Sequence, residues 1–203
     1  MPPDSPAASL ADRVNTIARL TGTFTLRSGQ IATEYFDKYR FEADPALLRD
    51  IASALVPLVP DGTEALAGLE LGGVPIATVL SQLTGIPALF VRKEAKTYGT
   101  CRLAEGGDVD GRRLTVVEDV VTSGGQVILS TEDLRERGAI VEHAVIVIDR
   151  RGPEHQRQLA EAGLGVHALC VIDRESGGPE GLAGIAVELH PLFTMTELKA
   201  AAG

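Results

Sequence analysis

The chain has 203 residues, 44% of them hydrophobic, which is enough to bury a sizeable core and fits one α/β domain. A formal net charge of −9 at pH 7 argues against a surface that neutralises the many phosphates of a nucleic acid, although a local basic cluster can still bind a small anion. The two cysteines, Cys101 and Cys170, have no metal-type spacing, no apolar run reaches membrane-spanning length, and MPPDSPAASL lacks the basic start and apolar core of a secretory signal. These features predict a reduced, cytoplasmic protein without membrane or nucleic-acid partners.

In chain order, Leu10, Val14, Ile17 and Leu20 recur at helical spacing and predict an amphipathic helix over about 9–20, with Ser9 as its N-cap. The stretch TFTLRSGQIATEYFDKYRFEADP reads as extended segments around a Ser-Gly turn, since Phe24 and Leu26 alternate with Thr and β-formers continue at Tyr35 and Phe36. Asp44-Pro45 opens a second helix that runs to about Val56. Beyond it, apolar runs at EALAGLE, IPALFVR, RRLTVVEDVV, AIVEHAVIVID and Gly165 to Asp173 alternate with helix-length stretches at Gly73 to Leu83, Gly125 to Arg137 and Pro153 to Ala162. Gly138 stands where a helix C-cap belongs. Strands interleaved with helices predict a mostly parallel central sheet flanked by helices on both faces. The polar stretch from Lys93 to Gly111 has no sustained hydrophobic period, and so long a loop in a compact domain points to function or disorder.

The strongest chemical signal is LTVVEDVVTSGGQ, Leu114 to Gln126. A buried strand ends in Glu118 and Asp119, and Thr122, Ser123, Gly124 and Gly125 then turn into a helix. Unpaired N–H groups and the positive end of the helix dipole suit a phosphate there, glycines let the backbone approach it, and the two hydroxyls add donors. The segment is neither a P-loop, since no Lys follows the second Gly, nor a GxGxxG dinucleotide fingerprint. The absence of that fingerprint disfavours a dinucleotide-binding dehydrogenase. At the carboxyl end of a strand, paired carboxylates can accept hydrogen bonds from ribose hydroxyls.

VVEDVVTSGG resembles the phosphoribosyl pyrophosphate signature of the type I phosphoribosyltransferases. FTLRSGQ with EYFDKYRF, and VRKEAKTYGTCRLAEGG, are similar to the substrate-binding and mobile-loop segments of the orotate phosphoribosyltransferases within that family. The resemblance spans Thr23 to Arg151 and implies one phosphoribosyltransferase domain over 1–203, with about 20–42 forming a small N-terminal hood over the base. It implies transfer of 5-phosphoribosyl from phosphoribosyl pyrophosphate to orotate, giving orotidine 5′-phosphate and pyrophosphate in pyrimidine biosynthesis. It also implies Mg²⁺ held mainly by substrate oxygens, and a homodimer whose loop reaches the neighbouring active site.

Residue by residue, the resemblance assigns Lys96 to catalysis. Arg27, Gly72, Gly73, Arg92, Lys93, Lys96 and Tyr98 are assigned to phosphoribosyl pyrophosphate, and Glu118 to Gln126 (Glu118, Asp119, Val120, Val121, Thr122, Ser123, Gly124, Gly125 and Gln126) to the ribose 5-phosphate. Tyr35, Phe36, Thr122 and Arg150 are assigned to orotate, with Arg151 as the neighbouring alternative to Arg150. Two departures stand out. Tyr98 occupies the position of a loop His, and GLELGGVPIA lacks the Lys often found in the pyrophosphate loop. His143, His155, His167 and His190 share no ligand spacing and read as structural or surface groups. Other members of the wider family, acting on purines, xanthine or uracil, and a regulator that senses phosphoribosyl pyrophosphate, carry the same cosubstrate signature.

Overall fold

The architecture is that of a computed structural model, which describes residues 10–25, 29, 31–94, 103–149 and 153–171. The first helix, α1 (Leu10–Ala18), leads into an antiparallel hairpin of β1 (Arg19–Thr25) and β2 (Ile31–Phe36). This hairpin occupies the segment in which the sequence places a hood. The predicted N-cap, Ser9, lies outside the described residues.

Two helices follow where the sequence reading had one. The segment taken as extended as far as Asp44 instead turns into α2 (Lys38–Ala43), whose N-terminus is capped by the Asp37 side chain accepting from the Tyr39 N–H. Asp44 ends that helix and caps α3 (Pro45–Leu55), accepting from the Ala46 and Leu47 N–H groups at 3.0 and 2.8 Å. An Asp cap of this kind is worth about 1 kcal/mol. Local capping therefore overrode the β-propensity of a Tyr- and Phe-containing run.

The main sheet has six strands in the order β5-β4-β3-β6-β7-β8, comprising β3 (Ala65–Leu69), β4 (Ala88–Val91), β5 (Ala104–Glu105), β6 (Arg113–Val121), β7 (Ile140–Asp149) and β8 (Gly165–Val171). All pairings are parallel except β4 with β5. The helices α4 (Gly73–Thr84), α5 (Gly125–Arg135) and α6 (Pro153–Glu161) make the crossovers. Gly85, with φ of 74°, closes α4 in the left-handed conformation that glycine adopts without a Cβ clash.

Both faces of the sheet are covered, as the unbroken apolar strands require. On one face Val117, Val145 and Leu66 pack with Ile51, Leu55, Ile76 and Leu80 of α3 and α4. On the other, Val116, Ile146 and Ala67 pack with Val127, Leu134 and Leu159 of α5 and α6. Adjacent residues of one strand, such as Val116 and Val117, thus serve opposite cores.

The polar stretch from Lys93 onward is only partly a loop. Its second half returns to the sheet: Leu103, Ala104 and Val109 are buried, and β5 pairs with β4 through Val91↔Ala104 and Phe90↔Glu105. These scattered apolar residues make no period in the sequence, yet the strand they flank covers the edge of β4.

Candidate active site

The strand order fixes where a ligand can sit. From β3 the chain crosses through α4 to β4 on one side, whereas β6 leads through α5 and α6 to β7 and β8 on the other. The order therefore reverses between β3 and β6, and in open α/β sheets the crevice outside the carboxyl ends at such a point binds ligands. Two sequence-predicted segments, Gly72-Gly73 after β3 and Glu118-Asp119 near the end of β6, meet there.

They meet closely. A methyl group on Gly72 would lie 1.7 Å from Asp119 Oδ2, and one on Gly73 would lie 2.1 Å from the Val117 carbonyl oxygen. A side chain at Gly73 would strike backbone and one at Gly72 would displace the Asp119 carboxylate, so the backbone of the α4 N-terminus lies directly against β6. A non-proline cis peptide joins Glu70 to Leu71 just before this turn. The turn is also tied to the end of β4, since the Glu70 N–H donates to Val91 O at 2.8 Å and the Lys93 N–H donates to Glu70 Oε2 at 3.2 Å.

Asp119 is fully buried, and Glu118 is nearly so. Asp119 Oδ1 accepts from the Val120 N–H at 2.5 Å, and Glu118 Oε1 accepts from the Asp119 N–H at 3.1 Å. The sequence reading did not include the other half of this cluster, which comes from α2. Lys38 Nζ lies 2.6 Å from Asp119 Oδ2, and Glu42, one helical turn later, is buried beside them. The signal was present as K-x-x-x-E, an i,i+4 pair, but it is visible only if the segment is helical.

The electrostatics follow from burial. Burial and then the hydrogen bond and negative charge of Asp119 push Glu42 up to about 9, and the same causes push Glu118 up to about 9. Burial opposes the charge on Asp119, but hydrogen bonds from the Glu118, Glu42 and Lys38 side chains outweigh it and hold its pKa below the ordinary value. Burial likewise opposes the Lys38 charge, and Asp119 more than compensates, so its pKa rises. At neutral pH the cluster is thus one ammonium facing one carboxylate, flanked by two neutral acids. A lone buried charge would be far more costly.

Beyond β6, Gly124 adopts a φ of 84° and caps α5 without a side-chain hydrogen bond, leaving the first-turn amides open. Thr122 and Ser123 are exposed at the turn. Val120 and Val121 pack into the two cores and can offer only backbone to a ligand. The Gln126 side chain is engaged with its own helix, donating to Ser130 Oγ at 3.1 Å.

The hood separates the predicted aromatic pair. Phe36 packs toward the core against Phe41 with ring centroids 6.3 Å apart, whereas Tyr35 remains exposed beside Phe24, 5.5 Å away. Neighbours on a strand point to opposite faces, so the two rings do not form one wall. Arg92 reaches Glu105 of β5, with Nε and Oε1 3.7 Å apart, and Lys93 is exposed. Arg27, Lys96, Tyr98, Arg150 and Arg151 lie outside the described residues. His143 and His167 pair with each other, Nδ1 to Nε2 3.3 Å, on β7 and β8 at the amino-terminal end of the sheet, away from the site. His155 and His190 have no described side-chain environment.

A parallel sheet with a glycine turn against paired acids and a phosphate-type helix start defines a phosphoribosyltransferase, and residues 40–166 match the sequence family described as the phosphoribosyl transferase domain. An orotate phosphoribosyltransferase from a Nocardioides species is 53% identical over 194 residues, covering 96% of this chain and 95% of that protein. The crystal structure of Mycobacterium tuberculosis orotate phosphoribosyltransferase bound to Fe(III) dicitrate superposes with a TM-score of 0.72 at 31% identity, covering 80% of this chain and 94% of the other. The same enzyme in complex with 5-phospho-α-D-ribosyl 1-diphosphate gives 0.67 at 27% identity, over 80% and 93%. The chain belongs to the orotate phosphoribosyltransferase family of type I phosphoribosyltransferases.

Proposed function

We propose that this protein transfers the 5-phosphoribosyl group of phosphoribosyl pyrophosphate to orotate, forming orotidine 5′-phosphate and pyrophosphate. The observation that carries the reading is the contact of the Gly72-Gly73 turn with Asp119 at the point where the strand order reverses, within a chain 53% identical to a protein of that name.

In this reading Gly124, Gly125 and the first amides of α5 hold the 5-phosphate, with Thr122 and Ser123 as added donors. Asp119, kept ionised, accepts from a ribose hydroxyl and places negative charge beneath the sugar as positive charge develops at its anomeric carbon. Glu118, neutral when the site is empty, has both a donor and an acceptor to offer the second hydroxyl. The amides of Gly72 and Gly73 face the pyrophosphate, joined by Arg92, Lys93 and the catalytic Lys96, with Arg27 and Tyr98 contributing from the hood and loop. Tyr35, Thr122 and Arg150 are the orotate contacts. Phe36, turned into the core, positions the hood rather than touching the base.

Among the described residues no group of three or more His, Cys, Asp or Glu side chains is arranged to hold a metal ion. Mg²⁺ would be held mainly by substrate oxygens, with Asp119 and Glu118 as the acids the protein offers, and would supply positive charge against the leaving pyrophosphate. A homodimer that shares the loop in the stretch from Lys93 to Gly111 completes the reading. The exposed apolar residues Ile31, Leu71 and Leu129 fit partner contact, and a cytoplasmic location fits a biosynthetic enzyme. No helix among the described residues is long and apolar enough to cross a membrane.

The test is steady-state turnover of orotate with phosphoribosyl pyrophosphate and Mg²⁺, followed by the loss of orotate absorbance. Adenine, xanthine and uracil serve as competing bases. Turnover of one of these in place of orotate, or none at all, would overturn the assignment.

A further inference from the structure

We infer that Lys38 supplies the fixed cation of the pyrophosphate subsite, reaching it from α2 while Asp119 holds it in place. The inference rests on the phosphoribosyl-transfer reading, and it adds a residue that lies on neither the glycine turn nor the loop.

Three observations converge. First, the two glycines bring no charge of their own: a Cβ at Gly72 would fall 1.7 Å from Asp119 Oδ2 and displace that carboxylate, one at Gly73 would fall 2.1 Å from Val117 O, and as they stand they present only backbone amides. On the side of the turn, amide dipoles alone would face a leaving group that gains negative charge when its bond breaks, since Arg92, Lys93 and Lys96 come from the segment after β4. Second, the same oxygen that excludes a side chain at Gly72 binds Lys38 Nζ at 2.6 Å. The ammonium therefore stands beside the turn, at the boundary between the ribose acids and the pyrophosphate amides. Third, the ammonium has capacity left. It donates toward Asp119 and lies 5.2 Å from the centre of the Tyr39 ring, and its side chain is 31% exposed. An ammonium has three N–H donors, so it can hold Asp119 and a phosphate oxygen together.

Neighbouring groups leave its charge available. Of the carboxylates around it, Glu42 and Glu118 are held neutral by burial and by Asp119, so a single carboxylate opposes it rather than three. Arg92, by comparison, already lies toward Glu105. In the transfer itself, the bond from the anomeric carbon to the pyrophosphate oxygen breaks with its electron pair going to that oxygen. The new bond forms from the orotate nitrogen, whose proton leaves to the departing pyrophosphate or to water, and Lys38 stays protonated throughout. Its part is to neutralise the leaving group and to keep it in line over Asp119.

The alternative is that Lys38 only compensates the buried charge of Asp119. The two readings differ in which ligand suffers. Full-length Lys38→Met, Lys38→Gln and Lys38→Arg are titrated calorimetrically with inorganic pyrophosphate and, separately, with ribose 5-phosphate, and kcat and KM for phosphoribosyl pyrophosphate are measured alongside. The expected result is a loss of at least tenfold in pyrophosphate affinity for both neutral variants, less than threefold for ribose 5-phosphate, and recovery of most of the loss by Lys38→Arg. Equal losses for the two ligands, or unchanged pyrophosphate binding, overturn the inference. Lys38→Gln can still hydrogen-bond Asp119, so it keeps the comparison readable should the Met variant fail to fold. A wild-type protein that binds pyrophosphate but does not turn over orotate would overturn the proposed activity and leave the Lys38 comparison standing.

Discussion

Replacing Glu42 by Gln should flatten the dependence of stability on pH on the alkaline side of neutrality. Glu42 is 8% exposed, its Oε1 meets no hydrogen-bond donor among the described residues, and burial beside Asp119 raises its pKa from 4.5 to about 9. In the unfolded chain the same carboxyl ionises near its ordinary value. Between these two values the folded protein keeps a proton that the unfolded chain has lost, so stability is greatest at the acidic end of the window and declines as pH rises toward 9. One such proton gives a slope on the order of 1 kcal/mol per pH unit, hence roughly 2–3 kcal/mol from about pH 6 to about pH 8. For a chain of this length that amounts to about 4–12 °C in Tm. Glu118, raised for the same reasons, adds a decline in the same direction, so the variant should retain its share alone. Asp119, with its pKa held down, contributes stability that is lost only as pH falls through that lowered value, outside this window. Thermal unfolding in a buffer series at one fixed protein concentration reads the slope directly. Coincident slopes for wild type and Glu42→Gln, or a wild type that gains stability as the solution becomes more alkaline, would refute the account.

The remaining predictions concern single contacts. Gly72→Ala places a methyl group 1.7 Å from Asp119 Oδ2, so it should cost about 1–3 kcal/mol in stability and displace the acid, with kcat/KM for phosphoribosyl pyrophosphate falling by more than tenfold. Asp119→Asn keeps the shape but loses the charge set against the developing ribosyl cation, and should lower kcat as well as raise KM for phosphoribosyl pyrophosphate, which initial-rate kinetics will show. Lys96→Ala should lower kcat by orders of magnitude with Tm unchanged, and an unaltered kcat would remove that residue from the mechanism. Arg135 clamps the turn after α6, donating to Val141 O at 3.0 Å, Ala162 O at 2.7 Å and Gly163 O at 3.1 Å. Arg135→Ala should therefore cost about 2–4 kcal/mol in denaturant unfolding, with substrate KM values unaffected.

The parallel sheet was legible because its strands are apolar on both faces and regularly interleaved with helices, and the site was legible where chemistry and turn coincide in one string, as in VVEDVVTSGG. Less legible was whatever depends on two segments distant in sequence. Lys38 and Glu42 carry no local motif, and they become a site only because Asp37 caps a helix that brings them over Asp119. Glycines at 72 and 73 could be read as phosphate-binding amides, but the oxygens that forbid a side chain there belong to β6. Tyr35 and Phe36 looked like a pair because they are adjacent, whereas strand pleating assigns adjacent residues to different surroundings. The edge strand β5 was hidden in a polar stretch, since a two-residue strand has no period to detect.

That edge strand has a consequence for how the protein can be handled. An uncovered strand edge is a template for pairing with another chain, and β4 would present one, with Phe90 already 38% exposed beside it. Ala104 and Glu105 cap it with one short antiparallel pair and a charge, the kind of device that keeps sheets from growing sideways. Shortening the chain between Lys93 and Gly111 to make a more compact variant would thus strip a cover as well as a loop. Aggregation would then accompany the turnover lost with Lys96.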